Sequence, residues 1–288
     1  MWLTLALPRA AVVPRRFLAA LSLLLAFLLS QQAQDARAAN RIATLAPSLT
    51  ELVYAAGAGE KLVGVSAYSD FPAEAKKFPI IADFAGANTE ALLSLKPDLV
   101  LAWGGGSRPG DVARLRALGL RVEEVSISRL DEIAPAIQKI GVWADTAAIA
   151  AQRAAALTAR ISALQQGALK RISQPIATYI EVGQKPPRTV NGAHFISDIV
   201  TLCGGRNVFH DAPTLVTEPS LETLLQKNPA VVVYGVDASR GDQARDVSMY
   251  RGTTAYRDKR YVGVNADHLL RPGPRLVDAA EVVCGAMR

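Results

Sequence analysis

The sequence predicts an α/β protein of two Rossmann-like lobes joined by a single long rigid helix, with a ligand cleft between the lobes. Three observations carry that prediction. A helix–proline–strand unit occurs twice, as EALLSLKPDLVL at residues 90–101 and ETLLQKNPAVVV at 222–233. The copies stand 132 residues apart throughout, with Glu90 over Glu222, Leu92 over Leu224, Leu93 over Leu225, Pro97 over Pro229 and Val100 over Val232. A weaker pair, TELVYAAG at 50–57 and SDIVTLCG at 197–204, repeats a helix with an acid in its first turn and a glycine at its end. Between the repeats, residues 146–171 read TAAIAAQRAAALTARISALQQGALKR, a run composed almost wholly of strong helix formers.

Residues 1–38 form the first segment. Arg9, Arg15 and Arg16 precede the apolar stretch Phe17 to Leu29, and Ala36-Arg37-Ala38 follows a polar stretch. This is the pattern of a secretory signal peptide, with cleavage expected after Ala38. The apolar stretch is shorter than the roughly 20 residues that span a bilayer. No cysteine lies near the cleavage site, so a lipid anchor is not expected, and the mature chain is expected to be exported and soluble. Removing four arginines and one aspartate from 32 basic and 26 acidic residues leaves 28 and 25, a net charge of +3. The basic residues are scattered, which gives no electrostatic footprint for nucleic acid.

Residues 39–143 are expected to form the N-terminal lobe. Strands are expected at Ile42–Leu45, Leu62–Val65 and Leu99–Ala102, with Thr50 as a helix N-cap. In each copy of the longer repeat, Leu-Leu is expected on the inner face of the helix, and the proline then ends it. The strand at Leu99 delivers Trp103 and then Gly104, Gly105 and Gly106. Ligands of open α/β sheets sit at strand C-terminal ends. There an indole flanked by residues without side chains makes a flat apolar platform with free space beside it. The run does not fit the G-x-G-x-x-G phosphate signature.

Residues 144–173 are expected to form the interlobe helix, capped by Asp145 or Thr146. At 1.5 Å per residue, 26 residues reach about 39 Å, a strut rather than a flexible linker. Residues 174–288 are expected to form the C-terminal lobe, opening with the strand Ile176–Ile180 and a helix capped by Ser197. Four further segments would reach the cleft as loops: Ala46–Thr50, with Pro47 and Ser48; Ala67–Pro72, with Tyr68; Pro187–Gly192, with Asn191; and Asp267–Arg271, with His268.

Signals of catalysis are sparse. His194, His210 and His268 lack zinc spacing, no metal site is expected, and no nucleophile motif occurs. The adjacent acids Glu123-Glu124 and Asp131-Glu132 read as solvated charge. The chain reads as a binder with no catalytic residues and no cofactor. Cys203 and Cys284 are an even pair in an exported chain, which favours a disulfide over two buried thiols.

In the order of its motifs, the chain resembles the periplasmic substrate-binding proteins of ABC importers that have two α/β lobes on one long helix. Among these it is most similar to the cobalamin (vitamin B12) binders. The resemblance runs over essentially the whole mature chain. It rests on Ile42–Pro47, Thr50–Gly57, VGVSAYSDFP at 63–72, LKPDLVLAWGGG at 95–106, LCGGRNVF at 202–209, and Asp267, Arg271 and Cys284. It implies a carrier that captures cobalamin and delivers it to an inner-membrane permease, acting as a monomer. Tyr68 and Trp103 would pack on the corrin, and Asp267 and Arg271 would hydrogen-bond its amides. Cys203 and Cys284 would be joined. The resemblance also implies docking on the permease through one surface glutamate per lobe. Glu222 matches the second, whereas the first falls on Pro109, with Asp111 as the substitute. Val216 and His268 stand where the cobalamin binders carry tryptophans. A haem or ferric-siderophore binder of the same class is the alternative, with His268, His194 or Tyr68 as axial ligand. An exported two-lobe enzyme is a remote one.

Overall fold

A computed structural model describes residues 38–170, 174–237 and 245–287. The expected signal peptide therefore lies outside the described residues, apart from Ala38.

The first lobe is built on a six-stranded sheet ordered β4-β3-β2-β1-β5-β6. Its strands are β1 (Ile42–Thr44), β2 (Leu62–Ser66), β3 (Ile80–Asp83), β4 (Gly86–Ala87), β5 (Leu99–Trp103) and β6 (Val122–Val125). All pairs are parallel except the β3–β4 hairpin. Parallel strands are covered on both faces, and so the first four residues of β5 are all buried. Helices α1 (Pro47–Ala55), α2 (Thr89–Leu95), α3 (Pro109–Ala117) and α4 (Ile133–Trp143) flank the sheet.

The first turn of α1 differs from expectation. The helix starts at Pro47, whose missing N–H is no loss at the first helical position. Thr50 is an interior residue, and its buried hydroxyl bonds those of Thr44 (2.7 Å) and Ser69 (3.0 Å). The segment 46–50 is thus a helix start rather than a loop. Gly57 ends this stretch at φ +80°, where a side chain would be strained.

The connecting helix α5 (Ala147–Leu169) has 23 residues, about 35 Å of rise. Thr146 takes the N-cap position, but its hydroxyl donates to Ala56 O (2.7 Å) instead of capping. Helix α4 crosses α5 closely, since a Cβ at Gly141 would lie 2.2 Å from Ala150 Cβ. Arg153 donates to Tyr54 O in the first lobe (2.6 Å). Two turns further on, Arg160 pairs with Asp278 (2.7 Å) and Glu281 (2.8 Å) of the second.

The second lobe has a four-stranded parallel sheet ordered β10-β7-β12-β13. Its strands are β7 (Ile176–Glu181), β10 (Gly205–Asn207), β12 (Val231–Val236) and β13 (Tyr261–Asn265). A three-stranded antiparallel sheet, β11-β9-β8, stands beside it, made of β8 (Gly183–Gln184), β9 (Pro187–Val190) and β11 (Val216–Thr217). Its helices are α6 (Phe195–Leu202), α7 (Leu221–Lys227), α8 (Thr254–Arg257), α9 (Ala266–Leu270) and α10 (Leu276–Ala286).

Two of the expected loops are therefore regular structure. Residues 187–190 pair on both sides as a strand, and 267–270 lie in α9, whose first turn is capped by the Asn265 side chain (2.8 Å to Asp267 N). Ser197 is not the cap of α6. His194 caps it, and the Ser197 hydroxyl donates to Asn191 O (2.7 Å).

The longer repeat is realised in α2–β5 and α7–β12. Each helix ends on a left-handed residue, Lys96 (φ 45°) or Asn228 (φ 44°), followed by the proline. Only the first leucine of each Leu-Leu pair faces inward. Leu92 and Leu224 are fully buried, but Leu93 is 41% exposed, because adjacent helix positions point about 100° apart. Cys203 and Cys284 form a disulfide between α6 and α10. One continuous buried cluster runs from α1 through α4 and α5 to α6 and α10. Among the described residues, no helix is long and apolar enough to cross a membrane.

Candidate ligand-binding site

The C-terminal ends of both parallel sheets carry the segments that meet between the lobes. Beyond β2, Asp70 accepts a charge-assisted hydrogen bond from Arg271 Nη1 at 2.8 Å. Arg271 follows α9, and its other Nη pairs with Asp267 at 2.8 Å, one helical turn away. Burial opposes the Asp70 charge, but the hydrogen bond and charge of Arg271 outweigh it and hold the carboxyl below the usual carboxylate range. Tyr68 lies two residues before Asp70 and is 70% exposed at φ +64°, a backbone region costly for a bulky side chain. Its strain presents the ring to solvent at the strand end.

Trp103 closes β5 half-buried, with part of its surface packed on the main core. The chain then folds back, as Ser107 Oγ accepts the Trp103 N–H (2.8 Å) and Ser107 N–H donates to Trp103 O (2.8 Å). The three glycines serve different contacts. A Cβ at Gly105 or Gly106 would lie 3.1 Å from the indole Nε1 or 2.6 Å from its Cδ1. A Cβ at Gly104 would lie 2.1 Å from Ser126 Oγ, so Gly104 admits the neighbouring strand rather than the indole. Beside the indole is a cavity of about 190 Å³, lined by Leu45, Ala46, Arg108 and Phe84 among others.

Phe84 was not among the residues expected at the site. It is 84% exposed at the tip of the β3–β4 hairpin, and its carbonyl accepts from Arg108 Nη2 (3.1 Å). A lone aromatic residue in a turn, at Asp83-Phe84-Ala85, was the available signal.

The other expected residues divide. Pro47 and the buried Ser48 begin α1 beneath the strand ends. The Asn191 amide is engaged locally, donating to Ala212 O (3.0 Å) and accepting from Ala193 N (3.0 Å), which leaves one N–H and one acceptor lone pair free of these bonds. His268 is half-buried within α9. Leu215 and Val216 expose about half their surface beside β9, an apolar patch without an aromatic ring. His194 Nδ1 accepts the Ile196 N–H, and burial pushes its imidazole down to about 4. That role as a neutral cap argues against its use as a metal-binding axial ligand.

Asp111, expected as the first-lobe docking acid, is half-buried. Its carboxylate accepts the Ala87 N–H (3.1 Å) and closes on Gly86, where a Cβ would lie 2.6 Å from Oδ2. It anchors the β3–β4 hairpin. Glu222, in the first turn of α7, is exposed, and so is Glu90 in the first turn of the repeat-related α2.

Two α/β lobes on one helix, with the Asp70–Arg271 pair joining their strand ends and exposed aromatic side chains on the first lobe, define a bilobal binding protein. The chain belongs to the periplasmic binding protein family, whose model matches residues 42–266. It is 36% identical to a vitamin B12-binding protein of Yersinia pseudotuberculosis, over 98% of this chain and 93% of that one. It superposes on the periplasmic vitamin B12-binding protein of Vibrio cholerae with a TM-score of 0.79 and 34% identity, covering 86% of this chain and 96% of that one. A periplasmic haem-binding protein from Pseudomonas aeruginosa is also similar, with a TM-score of 0.73, 25% identity, and coverage of 86% and 92%.

Proposed function

We propose that this chain captures cobalamin in the periplasm and hands it to the permease of an ABC importer. The observation that carries the reading is the Trp103 indole opening on the Phe84 cavity, in a chain 36% identical over 98% of its length to a vitamin B12-binding protein. A corrin is broad and apolar on its faces and bears amides at its rim. Trp103, Phe84 and Tyr68 supply apolar burial from the first lobe. Asp267 and Arg271 supply a carboxylate and a guanidinium for the amides from the second. Leu215 and Val216 offer an aliphatic surface from the second lobe. The chain performs no chemistry on its cargo and holds no cofactor of its own. In this reading residues 1–38 are the export signal, the lobes are residues 39–143 and 174–288, and the mature protein acts as a monomer.

Docking on the permease is assigned to Glu222, exposed in the first turn of α7, with Asp111 as the acid of the first lobe. Calorimetry of the mature protein with cyanocobalamin and with haemin tests the function. Saturable 1:1 binding of cyanocobalamin is expected. A Soret shift with haemin and no heat with cyanocobalamin rejects the reading in favour of a haem carrier.

A further inference from the structure

Outside the aromatic site, the lobes are tied by two ion-pair clusters related by the internal repeat. Glu51 lies in α1 and is only 3% exposed. Its carboxylate takes two hydrogen bonds from Arg275, Nε to Oε2 at 2.9 Å and Nη2 to Oε1 at 2.5 Å, and Arg271 Nη1 stands 3.6 Å away. The Arg275 guanidinium also lies 4.3 Å from the centre of the Phe71 ring. Both arginines belong to the second lobe, in the stretch between its last strand, β13, and its last helix, α10.

The second cluster has the same design with the lobes exchanged. Asp198 of α6 pairs with Arg129 Nη1 at 2.9 Å and accepts the Leu130 N–H at 3.0 Å. Arg129 and Leu130 lie between β6 and α4, the last strand and last helix of the first lobe. Glu51 and Asp198 occupy the same place in TELVYAAG and SDIVTLCG. Each lobe thus offers an acid from its first helix, and the opposite lobe grips it from the segment leaving its sheet.

We infer that Glu51 and Asp198 are positioning residues whose paired clasps set the separation of the lobes, so that opening the site requires breaking them. The inference rests on the two-lobe binding-protein reading but not on which ligand is carried. Each acid is largely withdrawn from water and bonded to at least two donors on the other lobe; Gln and Asn keep an acceptor oxygen but lose the charge that pairs with the arginines. Both clasps lie beside the long helix, Glu51 lining a cavity with Arg153, and Arg129 and Asp198 lining one with Ile161 and Gln165.

The test uses nitroxide labels at Ser94→Cys and Gln226→Cys, repeat-equivalent exposed positions on α2 and α7. The native cysteines are paired with each other and do not react. Pulsed dipolar spectroscopy then reads the interlobe distance in ligand-free protein. Glu51→Gln with Asp198→Asn is expected to keep the circular dichroism of the parent and to give a longer, broader distance distribution. Arg129→Gln alters only the second clasp, through a side chain already 52% exposed, and serves if the double variant does not fold. It too is expected to broaden the distribution, and Arg129→Asp with Asp198→Arg is expected to narrow it again. A distribution matching the parent in the folded double variant, or in Arg129→Gln, overturns the inference. Failure of the unmodified protein to bind cyanocobalamin rejects the cobalamin reading instead, because the distances are read without ligand.

Discussion

Phe84 and Trp103 differ in how far they serve folding, which separates two outcomes. Phe84 is 84% exposed, so Phe84→Ala is expected to change stability by less than about 0.5 kcal/mol. Trp103 has one side on the core, so Trp103→Ala is expected to lower the melting temperature while leaving the protein folded. Each lost ring removes apolar cover worth roughly 1.5–3 kcal/mol when fully buried, a loss of about 10- to 150-fold in affinity for a flat ligand. Calorimetry beside thermal melts checks both variants. Unaltered cobalamin binding by both would remove the aromatic platform from the account.

His194 makes a pH prediction. Its neutral ring caps α6, and burial holds its pKa near 4, below the ordinary 6.5. The unfolded chain takes up the proton first, so the stability from the neutral ring is complete above about pH 6.5 and is lost as pH falls toward 4. Urea titrations across that window are expected to show falling stability. His194→Asn keeps a capping oxygen without the titration and is expected to flatten the slope. Tyr68 and Trp103 were legible in the sequence as local features, an aromatic residue at a strand end with turn residues beside it. The Glu51–Arg275 pair was not, since its members are 224 residues apart and nothing local marks them as partners.

At the scale of elements, the repeated helix–proline–strand unit was legible because its signals are local: cap, proline and β-branched run. Element starts were less so. Ala46 and His194 hold the cap positions expected of Thr50 and Ser197, whose hydroxyls are used in buried polar contacts between elements. The small sheet β11-β9-β8 was missed because its strands have two to four residues, too few for an alternating pattern. Helix crossings set sharper limits than helix propensity. Gly141→Val forces α4 away from Ala150, and overpacking of this kind costs about 1–3 kcal/mol. Gly110→Ala, inside α3 with nothing within 4 Å of the new methyl, is expected to stabilise by about 0.4–1 kcal/mol. Denaturant midpoints of the two variants should move in opposite directions.

At the scale of the whole molecule, the two-lobe plan and the long helix were readable because the repeats bracket a run of helix formers. How the lobes are held relative to one another was not, because it depends on pairs that only the folded chain brings together. The disulfide was favoured by the cysteine count and implied by the family resemblance. It closes a loop of 81 residues, and in the chain-entropy model its loss costs on the order of 4–5 kcal/mol. Cys203→Ala with Cys284→Ala is expected to lower the melting temperature sharply, and saturating cyanocobalamin should recover part of the loss.

The backbone passes from one half to the other once, through α5, and the S–S bond begins and ends in the same half. A single protease nick within α5 would therefore leave two polypeptides with no covalent link between them, even in the oxidised protein, held by the shared buried cluster and the clasps alone. Their reunion would be a bimolecular event governed by concentration, which makes α5 the natural place to split the molecule into a complementing pair.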